Sequence, residues 1–194
     1  MTAITHNTIY YLPGYGGQLA TGLGQGLMER GFNVAGRETR GDFRSLPFKE
    51  QVRTIQVDLQ GNFWHEQARV VCNSFGAYLF LHAQAGLAPF PGRVLLLSPI
   101  VGEFTNEASR TSFSPPRPTR LKELAEAGGF PAPARCEIHV GQQDWQSIPA
   151  NVRAFGALTG MHVQVVPDVG HELGKSYVGP LLDRWLNAHV QTIK

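Results

Sequence analysis

No stretch of this 194-residue chain stays apolar for the ~20 residues that a membrane-spanning helix requires. The run Val94-Leu95-Leu96-Leu97 has the length of a buried strand instead. Cysteine is nearly absent. Cys72 and Cys136 are the only two, they lie in separate apolar segments, and no CxxC spacing joins them. That argues against a disulfide framework and fits two reduced thiols in a cytoplasmic protein. The first residues carry no basic segment followed by an apolar one, so no secretory signal is expected. Charge is sparse too, at 16% of residues, with a net charge of +2 and a pI near 8.7. Lysine and arginine are dispersed, with no basic run or aromatic–basic ladder, and a nucleic-acid partner is not expected.

What the sequence does have is regular punctuation. Short β-branched runs alternate with helix-like stretches from end to end. Strands are predicted at Thr8–Leu12, at residues 32–35, 69–72, 94–97 and 136–140, and at His162–Val166. Between them, helical spacing covers residues 19–30, a stretch capped by Ser45 with Pro47 in its first turn, residues 74–85, and segments starting near Ile148 and Tyr177. The second of these follows a polar loop at residues 37–44. The 74–85 stretch is apolar nearly all round, which marks a buried central helix. Strands that do not alternate imply burial on both faces. The expected fold is therefore α/β: a three-layer sandwich with a six-stranded, mostly parallel sheet in a single domain spanning 1–194. Ligands of such sheets gather beyond the carboxyl ends of the strands. The one long connection, residues 102–134, hangs over that edge, and its 103–134 part is the candidate for a minimal lid.

Three loops at that edge carry chemistry. In Val70-Val71-Cys72-Asn73-Ser74-Phe75-Gly76 a strand runs directly into a helix with serine at the corner. Small residues two positions to either side allow a sharp turn that exposes the hydroxyl at a helix N-terminus. A serine that only caps the helix is the plainer alternative. Cys72 sits one step back inside the strand and is disfavoured as nucleophile. In Leu12-Pro13-Gly14-Tyr15-Gly16-Gly17 the glycines permit a turn that presents backbone N–H groups to the neighbouring strand end. A dinucleotide fingerprint competes there, with Glu38 after the second strand, but Leu19 stands where its third glycine belongs. In Val166-Pro167-Asp168-Val169-Gly170-His171 a turn after the last strand presents a histidine. The other six histidines lie in strands, helices, a loop or the termini. The acid partner is expected to be Asp144, just past the fifth strand, with Asp168 as its rival. Gly22, Gly24 and Gly26 interrupt an expected helix, where each glycine costs about 1 kcal/mol relative to alanine. Close packing is the one account the sequence offers for them.

Taken in the order Ser, Asp, His, the chain resembles the α/β-hydrolase superfamily over nearly its whole length. Residues 12–17 are similar to that family's His-Gly-x-Gly-Gly loop, with Pro13 where histidine is common. Arg37-Glu38-Thr39-Arg40-Gly41-Asp42 is similar to its Asp-x-Arg-Gly-His-Gly loop. Asn73-Ser74-Phe75-Gly76 matches the nucleophile elbow with Cys72 replacing the first glycine, while Gly141–Asp144 and Gly170-His171 match the acid and histidine turns. The resemblance implies a compact fold without the two leading antiparallel strands. It further implies a serine hydrolase of esters or thioesters with Ser74, Asp144 and His171 as the triad. Tyr15 and Phe75 would then be oxyanion donors, flanked by Gly14 and Gly16, with no metal and no cofactor. A binding protein on the same fold and an acyltransferase using the same triad are the alternatives. The substrate is expected to carry a small or extended acyl group, since the lid candidate holds few large apolar residues. Arg37, Arg40, Arg44, Arg110, Arg117 and Arg120 are candidates for an anionic substrate group, although solvated surface arginines are the commoner case.

Overall fold

The computed structural model describes residues 7–106 and 110–188. Strands β1 (Thr8–Leu12), β2 (Asn33–Gly36), β3 (Arg69–Asn73) and β4 (Arg93–Leu97) form in order along the chain. A short antiparallel pair follows, β5 (Phe104–Asn106) with β6 (Thr111–Phe113), and then β7 (Arg135–Gly141) and β8 (His162–Val166). The main sheet has six strands in the order β2-β1-β3-β4-β7-β8, every pair parallel. Register is strict: Tyr10 opposes Val70, Val70 opposes Val94, and Val94 opposes Cys136. All carboxyl ends therefore reach one edge.

Burial on both faces follows from the period-two geometry of a strand. Tyr10, Leu12, Val70, Cys72, Val94, Leu96, Ile138 and Val140 point to one side. There they meet α3 (Phe48–Asp58), α4 (Phe75–Gln84), α5 (Arg120–Glu126) and α6 (Pro149–Thr159). Ile9, Tyr11, Val71, Leu95, Leu97 and Val166 point to the other, against α1 (Gly22–Met28) and α7 (Lys175–Asn187). All ten residues of α4 are buried, as its uniform apolarity predicts. No helix of the described residues is long and apolar enough to cross a membrane.

The structure corrects several expected boundaries. Helix α1 starts at Gly22, three residues later than the spacing suggests, because residues 19–21 form a turn. A Cβ on Gly24 would stand 1.9 Å from the Leu19 carbonyl oxygen and 3.1 Å from the Tyr11 ring, so close packing does account for that glycine. Part of the expected polar loop at residues 37–44 belongs to α2 (Gly41–Ser45). Ser45 ends this helix and its hydroxyl donates to the Gly41 carbonyl instead of capping α3, whose N-cap position is Pro47. Helix α3 runs on into one π-helical turn, Leu59–Phe63. Helix α7 begins at Lys175, two residues before Tyr177. The β5–β6 hairpin was not foreseen; its strands are only three residues long, too short to show a period. His6 and His189 lie outside the described residues.

Histidine 82, expected at the surface or in packing, is buried on α4 among Phe48 and Tyr78, and its Nε2 has no hydrogen-bond partner. Burial, with the nearby Arg117 and Arg120 charges, pushes its pKa down to about 4 from the ordinary 6.5. The fold thus favours the neutral ring. Its contribution is fully present above the unfolded-state value and is lost as the pH falls from 6.5 towards 4. We expect the urea midpoint to drop between about pH 7 and pH 4.5, and His82→Phe to flatten that drop. Equal pH slopes for the two proteins would count against this account.

Candidate active site

Ser74 sits where β3 turns into α4, with φ 51° and ψ −121°, a conformation that costs a non-glycine residue about 1–3 kcal/mol. The corner is held by its neighbours. The Ser74 N–H donates to the Leu97 carbonyl at 3.0 Å, while the Ser74 carbonyl accepts from the N–H groups of Ala77 and Tyr78. Two residues on, a Cβ at Gly76 would lie 2.2 Å from the Leu12 oxygen and 2.4 Å from the Pro13 oxygen. Only glycine fits against that backbone. Cys72, two residues before the corner, is tolerated because its side chain turns into the core; burial raises its thiol pKa well above normal. It is not a nucleophile candidate.

The histidine and acid turns converge on this corner. His171 Nε2 lies 2.8 Å from Ser74 Oγ, and His171 Nδ1 lies 2.9 and 3.0 Å from the two oxygens of Asp144. The Asp144 carboxylate is wholly buried and accepts the N–H groups of Gln146 at 2.9 Å and Ser147 at 2.8 Å. The backbone N–H groups bond Oδ1 and the imidazole lies against both oxygens, so each oxygen of the buried carboxylate has a partner. Asp168, the rival, is exposed at φ 58° in the preceding turn, where its N–H meets the Gln142 side chain at 3.4 Å. The two turns touch closely: a Cβ on Gly141 would lie 2.1 Å from the Gly170 oxygen.

Gly14 lies against Ser74, a Cβ there falling 3.3 Å from Ser74 Cβ. Gly16 differs from the sequence expectation. Its N–H donates to the Thr39 carbonyl at 3.1 Å, so it shapes the loop and is not a free donor. The Gly17 N–H is also engaged, by Gly14 O and Thr39 Oγ1. The N–H groups of Tyr15 and Phe75 have no acceptor among the described residues. As for a dinucleotide site, the loop is tied to Thr39 and α1 begins only at Gly22, so the loop does not open directly into the helix that follows it as that fingerprint requires.

Several participants escaped the sequence reading. Thr39, 2% exposed, donates to the Gly14 carbonyl and accepts from Gly17. Ser98, at φ 45°, donates to the His171 carbonyl at 2.8 Å. Ser147 donates to the Ser98 carbonyl and lies 3.5 Å from His171 Nδ1. Ser98 had a readable signal, a polar residue directly after a carboxyl strand end; Thr39 and Ser147 had none. The β5–β6 hairpin adds Phe104 and Phe113, which with Phe75, Tyr15 and Trp145 form an aromatic wall of edge-to-face and tilted rings. Three of the six candidate arginines, those of the second connection, have side-chain partners. Arg37 pairs with Asp58 at 2.6 Å, Arg40 pairs with Glu38 at 2.8 Å, and Arg44 stacks 4.1 Å over the Tyr15 ring. A cleft of about 910 Å³ opens beside Ser74 and His171, within the usual range of ligand pockets.

Among solved structures the chain is similar to a carboxylesterase, CesB, from Bacillus subtilis. The TM-score is 0.65 at 14% identity, over 94% of this chain and 84% of that one. It is also similar to MGS-MChE2, an alpha/beta hydrolase enzyme from a metagenome of lagoon sediments of Mar Chica, Morocco (TM-score 0.64, 17% identity, 93% and 90% covered). The Pyrococcus furiosus esterase Pf2001 is a third (TM-score 0.61, 15% identity, 94% and 84% covered). Scans against protein-family models and curated proteins gave no match. At these identities the likeness is one of fold, and the fold is the compact α/β-hydrolase architecture.

The close approach at Gly76 makes a stability prediction. Gly76→Ala forces a methyl group into two backbone carbonyls that cannot swing aside. We expect a loss of about 3 kcal/mol in urea unfolding followed by tryptophan fluorescence. A near-neutral result would mean the corner is looser than its geometry implies.

Proposed function

We propose that the protein is a serine hydrolase of carboxylic esters or thioesters that works through an acyl-enzyme. The observation that carries this reading is one imidazole bonded at once to Ser74 Oγ and to the buried Asp144 carboxylate. His171 takes the Ser74 proton as the hydroxyl attacks the acyl carbonyl, then gives it to the leaving oxygen or sulfur. Asp144 holds the tautomer with the proton on Nδ1 and stabilises the imidazolium. The Phe75 and Tyr15 N–H groups receive the oxyanion, the former at the N-terminus of α4. Water activated by His171 releases the acid. The fold neighbours that are named esterases favour the same reading by analogy. Residues 103–134 act as a small partial lid through the β5–β6 hairpin. The two buried free thiols fit a reducing, cytoplasmic setting.

Two measurements test the reading. A fluorophosphonate probe is expected to label the native protein at Ser74, with no label on Ser74→Ala. A folded protein that stays unlabelled would make a non-catalytic binding role the better account. Replacing a triad aspartate by asparagine favours the wrong histidine tautomer and costs about 10⁴-fold in kcat in the serine-protease case. We expect Asp144→Asn to lose several powers of ten on a p-nitrophenyl ester and Asp168→Asn to lose little. The reverse ranking would overturn the acid assignment.

A further inference from the structure

Helices α1 and α7 both start at the carboxyl edge of the sheet and run back from it along the same face. The cleft beside Ser74 continues between them. Tyr11, Leu23, Leu97, Val178 and Leu182 give it an apolar strip, with Gln18, Gln25, Glu29 and Lys175 also on its walls. Its far end is shut by Arg30, which ties the helices together. Arg30 donates to Gly26 O at 2.8 Å on α1, to Gly179 O at 3.2 Å on α7, and to Asp183 Oδ1 at 2.7 Å.

Gly26 is the telling residue. It lies inside a helix, where glycine is about 1 kcal/mol worse than alanine. Packing does not require it: a Cβ there would meet only Arg30 Nη1, at an ordinary 3.6 Å. Its φ lies outside the left-handed region. Gly24, two residues earlier and nearly on the opposite face, is explained by Tyr11 and Leu19, and Gly179 precedes Pro180, which restricts a helical residue before it. Gly26 has neither reason. What its missing side chain does is leave the groove open between Ser74 and the Arg30 barrier.

We infer that this groove is a substrate subsite, holding an unbranched aliphatic arm of the ester whose carbonyl lies at Ser74. An apolar strip between two helices, bridged by Arg30, takes a linear chain of limited length, and burying each methylene favours binding by about 0.8 kcal/mol. The arm leaves the reacting carbonyl on the α1–α7 face, while the aromatic wall of Phe75 and Phe113 lies on the opposite face of the sheet. The proposal rests on the acyl-enzyme reading of Ser74.

The test narrows the groove from each helix separately, with Gly26→Leu on α1 and Val178→Phe on α7, and checks folding by thermal melting. Two substrate series are measured: p-nitrophenyl acetate against hexanoate for the acyl arm, and ethyl against hexyl acetate for the alcohol arm. In at least one series, both variants are expected to lower the long-to-short ratio of kcat/KM by about tenfold or more, since pockets discriminate on this scale by methylene. Fluorophosphonate labelling of Ser74 runs alongside. Labelled, melting-competent variants whose ratios stay within about twofold of wild type in both series overturn the groove and leave the hydrolase reading intact. A folded wild-type protein that neither labels nor turns over either series overturns both.

Discussion

The Ser74 corner is the constraint on which the rest of the molecule depends. A non-glycine residue stays at φ 51° only when its surroundings leave no alternative. Here the helix that follows is buried over its full length, and Gly76 lies directly against the carbonyls of Leu12 and Pro13. Three segments are thereby locked together: the end of β1, the end of β3 and the first turn of α4. That contact sets the Gly14–Gly17 loop next to Ser74, so close that a side chain at position 14 would crowd it. Local strain is offset by burial that lies some distance from the chemistry. The same α4 burial has a side effect, because it encloses His82 in neutral form.

A second convergence completes the site. Parallel pairing of β7 with β8, Gly141 opposite Val166, carries both strands to the same edge. The Gln142 and Gln143 N–H groups then bond to Val166 and Val169 carbonyls across the two turns, at 2.8 and 2.9 Å. This backbone ladder aims Asp144 at His171 from the side, where an acid three residues away in the same turn has no such approach. Ser98 donates to the His171 backbone carbonyl and Ser147 to the Ser98 carbonyl, which ties the histidine turn to the end of β4. Groups buried this deeply are costly unless bonded, so the network also limits how far the histidine turn can shift.

The two faces of the sheet treat the active-site opening differently. On the α4 side, an aromatic wall stands over Phe75, made partly from the hairpin inserted after β4. On the α1–α7 side, a short helix with little side-chain bulk leaves a groove. The two sides of the opening are therefore chemically distinct surfaces. In the second connection, Arg37 and Arg40 are occupied by Asp58 and Glu38, while Arg44 lies over the Tyr15 ring at the edge of the site.

Legible in the residues alone were the parallel α/β sheet, the order of its strands along the chain, and the serine, aspartate and histidine that gather at its carboxyl edge. Those features are local: β-branched runs bounded by glycine and proline, a serine between small residues, a polar residue just past a strand. Even the preference for Asp144 over Asp168 followed from parallel strands ending side by side. Only the tertiary structure decided that Gly16 donates to Thr39 and not into the site, that Ser98 and Ser147 brace His171, and that α1 is short enough to leave a groove. These depend on contacts between residues far apart in sequence, such as Thr39 with Gly14 and Ser98 with His171, 25 and 73 positions apart. A hydroxyl or a glycine carries no local pattern that names its distant partner, so its role exists only once packing has chosen one.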